Sequence, residues 1–240
     1  MKKLNITILF LSLILANLSA QKLYAKTQGS YLSLDAVKTK YNSSTSGSSK
    51  YIGLKQTKYM DSSNSSSESG VGISYKYSYD IGKGFFVSPG IFYENLGIET
   101  QSSKDQYFTA GSQLYMANFK NDLAIKDRYG FKIDLGYEIK DRVLLYIPVG
   151  ISAISYEFTT IDTWNVNEYA KLTQKGNSLS YMYGIGTSIK LFSNTSLNIE
   201  YNISSYDIES KGRVGLVFED AQLKTKVDLK TIKAGISYKF

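Results

Sequence analysis

The sequence predicts an all-β fold, an eight-stranded antiparallel up-and-down transmembrane β-barrel with short turns at one end and four long loops at the other. Three observations lead to this prediction. Apolar and polar residues alternate in eight stretches of the chain, and a period of two is the pattern of a strand with two different faces. The connections between the stretches are alternately short and long. The chain also begins with an apolar segment typical of exported proteins.

The first 25 residues, MKKLNITILFLSLILANLSAQKLYA, have the plan of a secretory signal peptide, with two lysines, an apolar run and then small residues. We expect cleavage after Ala20 or after Ala25, which leaves residues 26–240 as one barrel domain. An N-terminal membrane anchor is the alternative, although the apolar run is short for a helix that spans a bilayer.

The alternation is clearest in five stretches, and three weaker ones bring the number of strands to eight. In the last stretch, Ile232, Ala234, Ile236, Tyr238 and Phe240 share one face, and the residues between them are polar or glycine. The other clear stretches are 71–79, 128–139, 181–190 and 197–204.

The connections predict which ends of the strands carry turns and which carry loops. Short connections fall at 80–84, 140–142 and 192–194. The first strand is expected at about 29–41. Four long inserts are predicted to be loops, at 42–69, 98–127, 159–177 and 206–227.

The two faces of the strands differ enough to indicate their surroundings. One face is almost unbroken Ile, Leu, Val, Phe and Tyr, and the other carries glycines and charges. A soluble barrel with its apolar face inward would expose the glycine-rich face to water, whereas a membrane barrel turns the apolar face to lipid. The second interpretation predicts a network of paired charges in the lumen, formed by Arg128, Lys132, Asp134, Glu138, Glu200 and Lys233.

Composition excludes several functional classes. The chain has no Cys, so it forms no disulfide and has no thiolate nucleophile, and it has no His, the commonest general base and metal ligand. The formal charge is +7, but three of the positive charges (Lys2, Lys3 and Lys22) lie in the predicted signal peptide, and no basic cluster suggests nucleic acid as a partner. We expect no catalytic, cofactor-binding or metal site, and no enzymatic activity.

Several motifs resemble those of a known family. They are GSYLSLDA near the start of the mature chain, YIPVGISAISY in the fifth strand and ISYKF at the end, where Ile236, Tyr238 and Phe240 resemble a barrel sorting signal. On these residues the chain resembles the eight-stranded outer-membrane barrels of the opacity-protein and OmpA-barrel (surface antigen) type. The resemblance implies location in the bacterial outer membrane, with periplasmic turns and extracellular loops. The implied partners are outer-membrane lipid, the barrel-assembly machinery during biogenesis and a host surface protein.

Three functions remain open from the sequence. The first is a surface adhesin or antigen that contacts host or environmental proteins, because long loops tend to be functional. The second is a structural barrel without a ligand, and the third is a narrow channel for small solutes, which inward Tyr146, Tyr156, Phe92 and Met182 would obstruct. Charges in the first and fourth inserts nearly balance, so a receptor for heparin-type polyanions is not favoured. Aromatic residues are enriched at contact sites, and the candidate loop contacts are Tyr51, Tyr59, Tyr107, Phe108, Tyr115, Trp164 and Tyr169.

Overall fold

The computed structural model describes residues 27–51, 57–110, 113–139, 142–164, 168–212 and 218–240. The predicted signal peptide therefore lies outside the described residues. Within the described residues, no helix is long and apolar enough to cross a membrane. Only the backbone is described at 48–51, 57–61, 104–110, 113–117, 119, 162–164, 168–170, 212 and 218–221.

Eight antiparallel strands form one closed barrel in which each strand pairs with its neighbours in sequence and the last pairs with the first. This confirms the predicted fold class. The strands are β1 (Gly29–Tyr51), β2 (Thr57–Gly82), β3 (Phe85–Ala110), β4 (Gln113–Ile139), β5 (Val143–Trp164), β6 (Glu168–Lys190), β7 (Thr195–Gly212) and β8 (Phe218–Lys239).

The strands are much longer than the sequence predicted, and the prediction of four long loops is wrong. They contain between 18 and 27 residues, whereas about 9–11 residues suffice for a tilted strand to cross a membrane. Most of each predicted insert is strand; β1 and β2, for example, pair continuously from Gly29–Ser78 to Lys50–Thr57. The physical reason is that the distal parts of β1, β3, β4, β5, β7 and β8 bury an apolar face of their own, and β2 and β6 pair with the neighbouring strands.

A band of apolar side chains surrounds the lower half of the barrel, the half next to the short turns. Leu34, Tyr181 and Ile236 are 64%, 79% and 56% exposed on its outer surface. This apolar band has the orientation that the membrane-barrel interpretation predicts. The other exposed large apolar side chains of the band include Val71, Ile73, Phe131, Leu135, Leu179, Ile185, Ile199 and Ile232.

Above the band the polar side chains lie on the outer face of the barrel and the apolar side chains on the inner face. On the outer face of β1, Ala36 is followed by Lys38 and Lys40, while on the inner face Asp35 is followed by buried Val37 and Tyr41. We call this height the polarity switch. Below the switch the apolar face of the strands is the outer one, and above it the apolar face of β1, β3, β4, β5, β7 and β8 is the inner one.

The wall also divides above the polarity switch. Pairing between β2 and β3 ends at Val71–Asn95, and pairing between β6 and β7 ends at Met182–Ser204. The distal half therefore consists of two four-stranded sheets, β7–β8–β1–β2 and β3–β4–β5–β6, that face each other. We call it the distal sandwich, and the two openings in its wall the β2–β3 seam and the β6–β7 seam.

Two bulges lie close to the height at which the sheets separate. One is in β3 at Gly97, whose φ of 58° is left-handed and suits glycine, and it shifts the register between Asn95 and Ile98. The other shifts the register of β4 on β5 between Ile125 and Asp127. Because of the second bulge, both Ile125 and Arg128 point inward although they are three residues apart.

Candidate functional site

Alternating charges form a continuous chain inside the lower half. Glu94 accepts from the Arg128 Nε at 2.7 Å and lies 3.2 Å from the Lys233 Nζ. Glu200 lies 2.6 Å from the Lys233 Nζ and also pairs with Lys132. Because each glutamate is shared by two cations, no buried charge in this part of the chain stands alone.

The chain of charges continues to the opposite wall. The Lys132 Nζ lies 3.4 Å from Asp134, and the Lys76 Nζ lies 2.9 Å from Asp134. Asp35 occupies the inward face of β1 opposite Gly235. With Asp35 there are four acidic and four basic side chains, so the interior of the lower half is neutral overall.

Aromatic and amide groups fill the space around these charges. The Tyr146 hydroxyl donates to Glu200 at 3.2 Å, and the Asn202 amide donates to the same carboxylate at 2.7 Å. The Lys76 ammonium lies 4.8 Å from the centre of the Tyr146 ring, and the Lys233 ammonium lies 5.4 Å from that of Phe92. Tyr146, Tyr156, Phe92 and Met182 are all buried, as expected for inward residues.

The structure brings together five of the six charges predicted to form the lumenal network: Arg128, Lys132, Asp134, Glu200 and Lys233. Glu138 lies apart, near the short turns, where it lines a small cavity with Tyr31 and Arg142. Glu94, Lys76 and Asp35 were not among the charges predicted to form the network. The period of two could have found Glu94, which lies two residues after the inward Phe92 on the same face.

The network has no arrangement typical of catalysis. Glu94, Asp134 and Glu200 pair with cations, and a general base needs a free lone pair within reach of a substrate. Among the described residues, no three acidic side chains come together as a metal site would require. The arrangement is suited to filling the lumen with compensated charge.

An apolar core fills the distal sandwich directly above the charged network. Tyr41, Ile98, Tyr206 and Phe158 are each at most 1% exposed. The Tyr206 hydroxyl and the Ser152 hydroxyl, 2.6 Å apart, form a hydrogen bond at the boundary between the two layers. The core is built from both sheets, by Val37, Tyr41, Leu96, Ile98, Leu123, Ile125, Ile154, Tyr156, Phe158, Tyr206, Ile208, Leu223, Val227 and Leu229.

The two seams differ in how their backbone edges are satisfied. Across the β6–β7 seam, Gln174, Ser178 and Ser180 of β6 donate side-chain hydrogen bonds to three carbonyl oxygens of β7, at 3.0, 2.8 and 2.5 Å. Across the β2–β3 seam, the described residues form one bond of this kind, from the Asn64 amide to the Gln101 carbonyl at 3.0 Å. The β2–β3 seam is therefore the more open edge.

The edge of β2 has little protection against pairing with another strand. The Ser65 N–H donates to the Asn64 side chain at 2.7 Å and so points away from β1. Because backbone groups alternate along a strand, the N–H groups of Ser63 and Ser67 point toward the seam as well. Protected edges carry Pro, Lys or bulges, whereas residues 62–70 contain one charge, Glu68, and no Pro.

The remaining predicted residues fall at the two ends of the barrel. Ile236 and Tyr238 point outward from β8, and the Phe240 ring packs edge-on to Tyr238 with centres 5.2 Å apart. The Phe240 N–H donates to the Ser30 carbonyl at 3.0 Å, which joins the end of the chain to β1. The side chains of the seven candidate loop contacts, Tyr51, Tyr59, Tyr107, Phe108, Tyr115, Trp164 and Tyr169, lie outside the described residues.

Residues 8–240 match the family model described as the outer membrane protein β-barrel domain. The chain belongs to this family. It is therefore an integral outer-membrane barrel, as the sequence resemblance implied. A search among curated proteins finds no significant match.

Several solved structures of outer-membrane proteins are similar to this chain. The outer membrane protein OprG from Pseudomonas aeruginosa is 15% identical with a TM-score of 0.50, and the match covers 89% of this outer-membrane barrel and 97% of OprG. Ail, the attachment invasion locus protein of Yersinia pestis, is 13% identical with a TM-score of 0.38, and the coverage is 88% and 99%. The outer membrane protease OmpT from Escherichia coli is 9% identical with a TM-score of 0.47, and the coverage is 92% and 100%.

Proposed function

We propose that this outer-membrane barrel is a surface adhesin or antigen that contacts host or environmental proteins through its distal sandwich. The open β2–β3 seam is the observation that carries the proposal. The backbone donors and acceptors of β2 face this seam. On its other side, β2 is held in place by its pairing with β1. Such an edge can accept an extended segment of another protein as an additional strand, a mode in which main-chain hydrogen bonds supply the affinity.

A role as a solute channel is less well supported. A conducting pore needs a hydrated path along the barrel axis, and this axis passes through a neutralised charge network and then an apolar core. We propose on the same grounds that the chain is not an enzyme, because its buried carboxylates and cations are engaged with each other.

Adhesion by bacteria that display the chain tests the proposed function. A laboratory strain without adhesins of its own should, when it expresses the chain, bind cultured epithelial cells or immobilised extracellular-matrix proteins. The variant S63P/S67P removes two N–H groups that face the β2–β3 seam and leaves the pairing with β1 intact. Loss of two hydrogen bonds should lower the apparent affinity about tenfold or more.

Two matched variants separate the edge from other effects. S63A/S67A removes the same hydroxyl groups but keeps the N–H groups, and it should bind like the native chain. D207P/E209P introduces two prolines at the β6–β7 seam and should also leave binding unchanged. If the native chain binds none of the surfaces, the adhesin proposal is wrong and a purely structural barrel is favoured. If S63P/S67P binds as well as the native chain, adhesion does not use this edge.

A further inference from the structure

Four outward lysines lie together directly above the apolar band, on the neighbouring strands β1 and β8. Lys40 is the register partner of Lys230, Lys38 lies two residues from Lys40 toward the band, and Lys226 lies further up β8. All four are exposed, and none forms a salt bridge with a side chain that the structure describes. We call Lys38, Lys40, Lys226 and Lys230 the lysine patch.

The nearby carboxylates do not neutralise this patch. Asp228 lies between Lys226 and Lys230 on the same face of β8 and accepts a hydrogen bond from the Ser205 hydroxyl at 2.6 Å. Glu209 is engaged by Lys224 at 3.2 Å, and the hydrogen bond from this lysine lowers the pKa of the Glu209 carboxyl. Asp207 is the register partner of Lys226, so the lysine patch with Asp207 and Asp228 has a net charge of about +2 at neutral pH.

On the opposite side of the barrel, at the same height, exposed lysines form salt bridges with a carboxylate. There Glu157 pairs with Lys175 at 3.0 Å and with Lys126 at 3.8 Å, and the Lys175 hydrogen bond lowers the pKa of the Glu157 carboxyl. On that side two lysines share a carboxylate, whereas none of the lysines of the patch forms a salt bridge with a described side chain. Like charges on directly opposed residues destabilise a sheet, so the pair of Lys40 and Lys230 is more favourable when an anion lies between them.

The surroundings of the patch indicate what kind of anion would fit. Immediately below it, the outward side chains of Leu34, Ile232 and Ile236 belong to the apolar band. Beside it, the outward Ser69 and Ser67 of β2 are the register partners of Lys38 and Lys40 and add hydroxyl groups. A ligand with an anionic group above and hydrocarbon chains below would satisfy the lysines, the serines and the apolar wall together.

We propose that the lysine patch binds the phosphate group of a phosphorylated lipid in the outer leaflet, whose acyl chains lie against β1 and β8 below. Basic side chains next to a membrane attract anionic lipid with an energy that accumulates per residue. This inference does not depend on the adhesin proposal, because it rests on the lysine side chains of β1 and β8 and not on the backbone edge at the β2–β3 seam.

Lipid binding by the purified, folded chain tests this inference. Bisphosphorylated lipid A is titrated against the chain in neutral detergent at low salt, and retained lipid is measured by native mass spectrometry. The variant K38Q/K40Q/K230Q should bind lipid A about fivefold more weakly for each lysine removed, or on the order of 100-fold in total. The control K126Q/K171Q/K175Q removes three lysines from the opposite side and should stay within about twofold of the native chain.

Competition experiments identify whether the bound phosphate belongs to a lipid. A single variant shows that weaker binding does not result from misfolding. Inorganic phosphate in excess should not displace lipid A, and a lipid A lacking one phosphate should bind more weakly than the bisphosphorylated form. The single variant K40Q relieves the opposed pair, so it should fold normally and still lose about fivefold in affinity. Equal binding by the native chain and K38Q/K40Q/K230Q, or complete displacement by inorganic phosphate, would overturn the proposal.

Discussion

Glu94, which was not among the residues predicted from the sequence, joins two of the buried cations of the lumen. Its carboxylate is 2% exposed and pairs with both Arg128 and Lys233, which come from strands on different sides of the lumen. Buried ion pairs offset their desolvation cost only when geometry and further hydrogen bonds are favourable. The shared glutamate therefore makes the three side chains depend on each other.

Replacing Glu94 by Gln should strongly destabilise the barrel. The amide cannot neutralise Arg128 and Lys233, and a buried charge without its partner costs about 3–5 kcal/mol. Unfolding by urea in lipid vesicles, followed by circular dichroism, measures the change in free energy.

The matched control for this prediction is Glu157→Gln, which removes an exposed carboxylate that also pairs with two lysines. Exposed pairs contribute about 0–1 kcal/mol, so the control should remain close to the native chain. Equal stability of the two variants would show that the buried network does not stabilise the fold.

At the scale of the strand, the polarity switch explains why the sequence predicted strands but not their lengths. Below the switch, residues such as Ile232 and Ile236 produce a clear apolar alternation. Above it, the apolar residues belong to the opposite face and alternate with Ser, Thr and Lys, as in β1 after Ala36. A serine-rich segment such as 62–70 has no apolar period of its own and becomes a strand because β1 pairs with it. Local composition therefore predicted loops where tertiary pairing forms strands.

Replacing Phe158 by Ala should loosen the distal sandwich while the lower half stays intact. Phe158 is 1% exposed in the apolar core, and truncating a buried Phe costs about 3–5 kcal/mol through lost contacts and a cavity. Hydrogen exchange measured by mass spectrometry should show faster exchange in the distal parts of β4, β5 and β8 than in the native chain.

Two comparisons make the Phe158→Ala experiment decisive. The lower half of the same strands is an internal reference, and the exposed Lys171→Ala is a control variant on the outside of the sandwich. Uniformly faster exchange along the whole strands would mean that the two halves unfold as one unit.

At the scale of the whole molecule, the period of two and the alternating connections were enough to predict a closed eight-stranded barrel. They also predicted which face meets lipid, and hence that Lys132, Glu200 and Lys233 point inward. The separation into two sheets could not be predicted, because it depends on where pairing between β2 and β3 and between β6 and β7 stops. The bulge at Gly97 and the bulge in β4 are similarly set by neighbouring strands and leave no distinctive pattern in the sequence.

The absence of cysteine from the chain allows its orientation to be measured directly. Single-cysteine variants S44C, in the distal sandwich, and S193C, in the turn between β6 and β7, both replace exposed serines. A membrane-impermeant maleimide applied to intact cells should label S44C and leave S193C unlabelled until the outer membrane is permeabilised.

Labelling of A234C, in the apolar band, serves as a control and should stay low in both conditions because lipid covers this position. The reverse pattern, with S193C labelled on intact cells, would place the short turns outside and the distal sandwich in the periplasm.

The apolar band also sets the thickness of bilayer in which the protein is stable. On β2, β4 and β6 the outward apolar residues extend over eleven positions, Val71–Ile81, Tyr129–Ile139 and Leu179–Ile189. At a rise of about 3.3 Å per residue and a tilt of about 40°, this corresponds to a hydrocarbon layer of about 25 Å. A thicker bilayer would bring the lysines at the polarity switch and the open seams into hydrocarbon, whereas a thinner one would leave apolar rings in water. Hydrophobic matching therefore selects a thin membrane and fixes the height at which the distal sandwich stands above it.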